Sequence, residues 1–462
     1  MRGNFVGLLL VGAWLVTSKQ SARGAEPLHE IQALNPHLAF HGDMAWPMKV
    51  HSLLKNEYNF FRGTADLFYR FCGEHCADWI SARGKWVSLH GDVHLGNIGT
   101  YQGPGAPGED IHFGLVDFDE AVRGPYELDL LRATTALRFA AGASEVKVSD
   151  EEMRQAISTM VFAYVGAREG KTATGAWDER HPCLKELFKE ARSGTMKKYV
   201  KKYAEGDPLR FKSRRESGGS VEDVMRPLTA EKRAAMIDAV WTYIEKGLSE
   251  ATRKRFRFKD HAELQAAVLD AVDWTRVGSS GSQGLQKYLV LLASPLVESE
   301  DPLILQLKEE PIPGAVRARL LEADSGSGGR GAFVAEAYQK LNDPTVWLIG
   351  HTQIGDKEFL VKTKDCWSEE LSSDDVKSVE SLNDVAAVMG EVIGRSHRLG
   401  GARGNVFAGT DGGKQQWALD RELADRSKAA HDYLHAAYES LREDPRSKEF
   451  RKKAEEWLKN GE

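Results

Sequence analysis

Residues 88–99 read SLHGDVHLGNIG and place His90, Asp92, His94 and Asn97 within eight residues. Two chemistries use such a set. On a strand, His90, Asp92 and His94 occupy alternate positions and share a face; two imidazoles and a carboxylate suit zinc or a similar ion, as in a metal-dependent hydrolase. Alternatively, Asp92 followed five positions later by Asn97 has the spacing used in phosphoryl transfer. There an aspartate takes or orients the acceptor proton and an asparagine holds magnesium. A lone H-x-D-x-H string is weak, and no second histidine-rich cluster offers another metal or a base.

Phosphoryl transfer needs further parts, and the chain contains each. Asp117 in VDFDE, with Asp119 beside it, stands where a second magnesium ligand is required. Lys308 ends the apolar run LILQLK, where a strand lysine would reach the α- and β-phosphates. Gly281, Ser282 and Gly284 lie in a loop whose missing side chains let backbone amides approach phosphates. Glu336 is a helical glutamate that would hold the lysine. Each has a plain structural alternative: a turn cap, a solvated strand end, a linker. Their conjunction points to transfer from Mg-ATP to an unidentified hydroxyl on a small molecule or protein. Noncatalytic nucleotide binding, nucleotidyl transfer and the His90/Asp92/His94 hydrolase are the alternatives.

These residues need elements to position them. Residues 27–82 look mostly helical and lead into KWVSLHGD, a short strand. YQGPGAPGED (101–110) is a loop. IHFGLVDFDEA (111–121) is a strand entering the acidic cluster, and YELDLLRATTALRFAAGA (126–143) is apolar at helical spacing. Helices are expected to continue to about residue 270. Two β-favouring runs in 273–310 predict a hairpin. SGSGGRG (325–331) is a linker before a helix at 332–341, and 345–364 holds another strand pair. DVAAVMGEVIGRSHRLG (384–400) is an amphipathic helix, with helices to the end. The expected units are a leader at 1–24, a helical lobe with the catalytic and metal-binding loops at 25–270, a β-rich nucleotide-binding lobe at 271–366 and a helical return at 367–462.

The string HGDVHLGNIG…LVDFDEAVRGPYELDLLRA resembles the catalytic segment of aminoglycoside and choline phosphotransferases, of the protein-kinase-like superfamily. FFRG (60–63), GSQG (281–284), LQLKEE (305–310) and GEVIGRSHRLG (390–400) extend the likeness to a bacterial family known only as a domain of unknown function. The resemblance spans roughly residues 55–400. It implies an α+β, protein-kinase-like two-lobe fold, with Asp92 as base, Asn97 and Asp117 on magnesium and Lys308 on the phosphates. The catalytic loop precedes the β-rich part here, and the helix ending in Arg395 and His397 resembles the one that usually precedes that loop. A circular permutation accounts for this order, since a site needs neighbours in space and not in sequence.

Composition is that of a globular chain: 462 residues, 42% hydrophobic and 28% charged. Net charge is −6, which gives no global basic excess for nucleic acid; the basic run TRKRFRFK (252–259) reads as a solvated helix face. Arg2, the uncharged FVGLLLVGAWLV (5–16) and small residues beyond it form a secretory leader pattern, with cleavage after Gly24. Cleavage removes Arg2, Lys19 and Arg23, taking net charge from −6 to −9, and leaves no membrane span. The expectation is an exported protein, periplasmic or extracellular. Cys72, Cys76, Cys183 and Cys366 are expected as free thiols.

Overall fold

A computed structural model describes residues 27–40, 42–81, 86–144, 146–171, 174–217, 220–277, 281–323, 328–401 and 412–460. The expected leader and its cleavage position lie outside the described residues. The fold is mixed α+β, with one core among helices and a second around a sheet.

Helix α1 (Glu57–Gly63) opens at Asn56, whose side chain accepts the Asn59 N–H, and α2 (Ala65–His75) follows directly. Next come β1 (Trp86–Leu89), β2 (Ile98–Gln102), β3 (Ile111–Leu115) and β4 (Val122–Pro125). They pair as two antiparallel ribbons, β1 with β4 and β2 with β3. The β1–β2 turn therefore carries residues 90–97, and the β3–β4 turn carries 116–121. Helix α3 (Glu127–Ala143) is buried along almost its whole length. Leu128, Leu131 and Leu137 are wholly buried in it, and truncating any one to alanine costs about 2–5 kcal/mol.

Helix α4 (Asp150–Arg168) begins with a capping box between Ser149 and Glu152. Beyond it helices continue to Tyr203 and recur between Ala230 and Ala267, but the expectation of helices throughout to about 270 fails at a hairpin. This hairpin, β5 (Arg214–Ser217) with β6 (Ser220–Pro227), comes before α5 (Ala230–Thr242). The hairpin joins a seven-stranded antiparallel sheet with β7 (Val268–Arg276), β8 (Lys287–Leu292), β9 (Leu303–Glu309), β10 (Gly350–Ile354) and β11 (Lys357–Thr363). The strand order is β10-β11-β9-β8-β7-β6-β5. Every residue of β8 is buried, and after Lys287 the strand YLVLL is an unbroken apolar run. The basic run at 252–259 is not a helix face either. Helix stops at Arg253, and Arg255 and Arg257 bind the Pro104 and Leu296 carbonyls and Glu298 and Glu300.

Helix α6 (Gly329–Leu341) packs on β10 and β11. Helix α7 (Val379–Leu399) lies along α4, and its glycines explain how closely. A Cβ on Gly390 or Gly394 would collide with the carbonyls of Met160 or Tyr164 on α4. Helices α8 (Gly412–Glu443) and α9 (Pro445–Asn460) return to the helical core, α8 against α3 and α4. All four cysteines are free thiols. Among the described residues no helix is long and apolar enough to cross a membrane.

Candidate active site

The β1–β2 turn is held from beneath by one carboxylate. Asp129, in the first turn of α3 and wholly buried, accepts the backbone N–H groups of His90 (2.8 Å) and Gly91 (2.9 Å) and the Nε2–H of His397 (3.0 Å). His397, near the end of α7, takes the Tyr164 hydroxyl on Nδ1 at 3.1 Å, and Arg168 donates to that hydroxyl at 3.0 Å. The glycine contact between α7 and α4 thus fixes the histidine that fixes the turn. Gly91 has φ +85°, and a Cβ there would strike the Glu120 backbone, so the position requires glycine.

The turn presents Asp92 and Asn97 to a cavity. Arg132 donates Nε and Nη2 to Asp92 Oδ1 at 2.9 and 2.8 Å, and Nη2 also meets the Phe61 carbonyl. Burial raises the Asp92 carboxyl above its usual value; Arg132 pulls the other way. Asn97 donates its amide to the Asp92 carbonyl at 2.9 Å, so its side-chain oxygen is the atom left for a cation.

His90, Asp92 and His94 do not form a shared metal set. The strand stops at Leu89, so the alternation that would align them is lost. His90 gives Nε2–H to the Val116 carbonyl (2.8 Å) and takes the Asp92 N–H on Nδ1 (3.2 Å), so neither ring nitrogen remains for a ligand. His94 is kept neutral by burial and by the Arg62 and Arg132 charges. Its Nε2 lies 3.6 Å from Asp92 Oδ2.

The acidic β3–β4 turn packs against the β1–β2 turn: the Val116 N–H is donated to the Asn97 carbonyl at 2.9 Å. Asp117 sits in the left-handed region, φ 63°, with its N–H donated to the Tyr338 hydroxyl at 2.7 Å. Such backbone costs about 1 kcal/mol or more and concentrates at functional sites. Lys308, from β9, donates Nζ to Asp117 Oδ1 at 3.0 Å and also contacts Asp119 Oδ2. The two residues are separated by 191 positions in sequence. Burial would raise Asp117, but the Lys308 and Lys362 ammoniums outweigh it and hold the carboxyl well below the usual range. Asp119 is pushed up to about 6 by burial and by the Asp117 charge. Lys308 is held above its ordinary value, because the two aspartates outweigh its burial.

Asp92, Asn97, Asp117, Asp119, Gly281 and Ser282 line one cavity of about 420 Å³. Gly284 borders a neighbouring cavity of about 290 Å³ with Lys287 and Trp274. Glu336 is not brought to the lysine: it is half exposed and pairs with Lys340 one turn along α6. The spacing in sequence could not say which face of that helix it occupies.

The sequence reading missed Lys287 and Lys362. Register places Lys287 opposite Lys308, and Lys362 opposite Gln306 two residues earlier on β9, so all three lysines share one face of the sheet. Lys287 donates to Ser282 Oγ at 2.8 Å, and burial and the Lys308 charge lower its ammonium to about 7. Like charges directly opposite on a sheet repel, so this face is built to meet anions. The signal was present: a lysine opens one strand of the hairpin and another closes its partner. Asp129 was also legible as an acid within an apolar helix.

A family model described as "Uncharacterized protein conserved in bacteria (DUF2252)" matches residues 43–444. No curated protein and no solved structure matches the chain.

Proposed function

The chain belongs to this uncharacterised bacterial family, DUF2252, and we propose that it is a kinase-like phosphotransferase moving a phosphoryl group from Mg-ATP to a hydroxyl acceptor. The observation that carries the reading is the Lys308–Asp117 pair at 3.0 Å. Asp117 lines the cavity together with Asp92 and Asn97, and Lys308, which is buried behind it and not itself in the lining, joins the sheet to that wall. In this reading the fold is a permuted kinase-like one: the sheet is the nucleotide lobe, placed after the catalytic turn in sequence, and α7 precedes that turn in space.

The roles follow from the side chains. Lys308, with Lys287 and Lys362 on the same face, holds phosphate oxygens, and the backbone around Gly281 and Ser282 closes over them. Asn97 and Asp117 supply an amide and a carboxylate oxygen, hard donors that suit magnesium; Asp119 has a buried Oδ1 without a partner beside them. Magnesium, when bound, neutralises charge on the transferred group. Asp92, oriented by Arg132, takes the acceptor proton as the acceptor O–P bond forms and the bond to the β-phosphate oxygen breaks, releasing ADP.

Thermal unfolding of the full chain with and without Mg-ATP tests this. A ligand at about 100 times its Kd adds about 2.7 kcal/mol to stability. The expected result is a rise in Tm that needs both ATP and magnesium and is lost in Asp117→Asn. No rise at millimolar Mg-ATP overturns the reading. Release of ADP on turnover supports phosphoryl transfer, whereas pyrophosphate would make it a nucleotidyl transferase.

A further inference from the structure

The FFRG stretch has no part in the roles above, yet Arg62 at the end of α1 lines the same cavity as Asp92 and Asn97. Its guanidinium lies against the catalytic turn: a Cβ on Gly96 would come within 3.0 Å of Arg62 Nη2 and 3.5 Å of His94 Cε1. The Tyr58 ring stands 5.9 Å from it. The comparison with Arg132 is direct. Arg132 is neutralised by Asp92 and bonded to a carbonyl. Arg62 has no hydrogen-bond or ion-pair partner among the described residues, and its Nε is buried without one. Lys55, exposed, borders the cavity as well. His94 beside it is neutral and offers no counter-charge; its buried Nδ1 is also unpartnered.

A guanidinium partly removed from water without a counter-ion is costly, and its planar fork matches a phosphate or carboxylate with two parallel hydrogen bonds. The nucleotide's phosphates already have the lysine face of the sheet. Arg62 comes from the helical side and lines the cavity with Asp92, on the side where the acceptor must lie. We infer that Arg62, with Lys55 at the rim, binds an oxyanion carried by the acceptor, so that the acceptor is a hydroxyl compound bearing a phosphate or carboxylate group. This rests on the phosphotransferase reading for the hydroxyl, while the oxyanion site itself does not.

The test uses the full chain saturated with magnesium and a non-hydrolysable ATP analogue, then titrated calorimetrically with inorganic phosphate or, in a second arm, malonate. Saturable binding is expected, weakened at least tenfold in Arg62→Gln and less in Arg62→Lys, with affinity for the nucleotide analogue kept within about twofold. The stronger arm identifies the oxyanion. Circular dichroism of both variants checks that they fold. Equal phosphate and malonate binding by wild type and Arg62→Gln overturns the inference. So does loss of nucleotide affinity in Arg62→Gln, which would assign Arg62 to the nucleotide and leave the phosphotransferase reading standing. Failure of wild type to bind the analogue counts against that reading alone, and Arg62-dependent phosphate binding would still support the oxyanion site.

Discussion

Carboxylates stand on two sides of the β1–β2 turn, and they are finished to different degrees. Beneath the turn, Asp129 is wholly buried and accepts three hydrogen bonds that pin two backbone amides and a histidine. Above it, Asp117 is 41% exposed on its side chain, Asp119 has a buried oxygen without a donor, and both oxygens of buried Glu310 have none. The same contrast separates the arginines, Arg132 paired and Arg62 not. Buried polar groups in a finished structure are satisfied. Asp119 and Arg62, each with a buried atom left without a partner, line one cavity and mark a surface that a ligand can complete, whereas Asp129, with three donors, belongs to the frame that holds the turn.

The largest effect that this contrast predicts is on turnover. Asp92→Asn keeps an oxygen for Arg132 but removes the proton acceptor, so ATP turnover should fall about 10²–10⁴-fold while the nucleotide-dependent Tm rise survives. Unchanged turnover would take Asp92 out of the mechanism. Next comes the frame. Asp129→Ala leaves the His90 and Gly91 amides and His397 without their acceptor, and should cost about 3–5 kcal/mol in urea unfolding. A cost below about 1 kcal/mol would mean that the turn does not depend on this carboxylate. A smaller loss, about 1–3 kcal/mol, is expected for Gly390→Ala, whose methyl meets the Met160 carbonyl on α4. His397 moves with that helix, so Gly390→Ala should lower turnover as well as stability; a loss of stability alone would uncouple the helix contact from the turn.

Much of the candidate site's geometry was legible in sequence because its parts obey local rules. The Asp92–Asn97 spacing, Asp117 after a short strand and Lys308 at a strand end all depend on a few neighbouring residues. What failed depended on partners far away. The stretch FKSRRESGGSVEDVMRP (211–227) falls within the run expected to be helical to about residue 270, and it lacks an alternating apolar face. Its strands β5 and β6 join the sheet at one end, and β5, the edge strand, carries Arg214, Arg215 and Glu216, whose charges block further pairing. Glu336 was chosen as a helical acid of suitable position, but the structure turns it outward to Lys340. The carboxyl group buried near Lys308 on β9 is Glu310, two residues along the chain, and nothing in LQLKEE says which of its glutamates lies inside.

Glu310 also provides the finest test of the unfinished cluster. Burial and then the Asp119 charge push its carboxyl well above the usual 4.5. The folded chain therefore keeps a proton on Glu310 at pH values where the unfolded chain has lost it. With more protons bound in the native state, stability falls as pH rises from about 4.5 toward the folded value. Glu310→Gln imitates the protonated acid and cannot titrate. Wild type should therefore lose stability relative to this variant by about 1 kcal/mol between pH 5 and 6, measured by urea unfolding at each pH. A flat difference would mean that Glu310 is ionised in the fold and has found a cation, most directly Arg330, whose Nε is also buried without a partner. The acidic wall would then be as complete as the Asp129 side, and the distinction between frame and ligand surface would rest on Asp117, Asp119 and Arg62 alone.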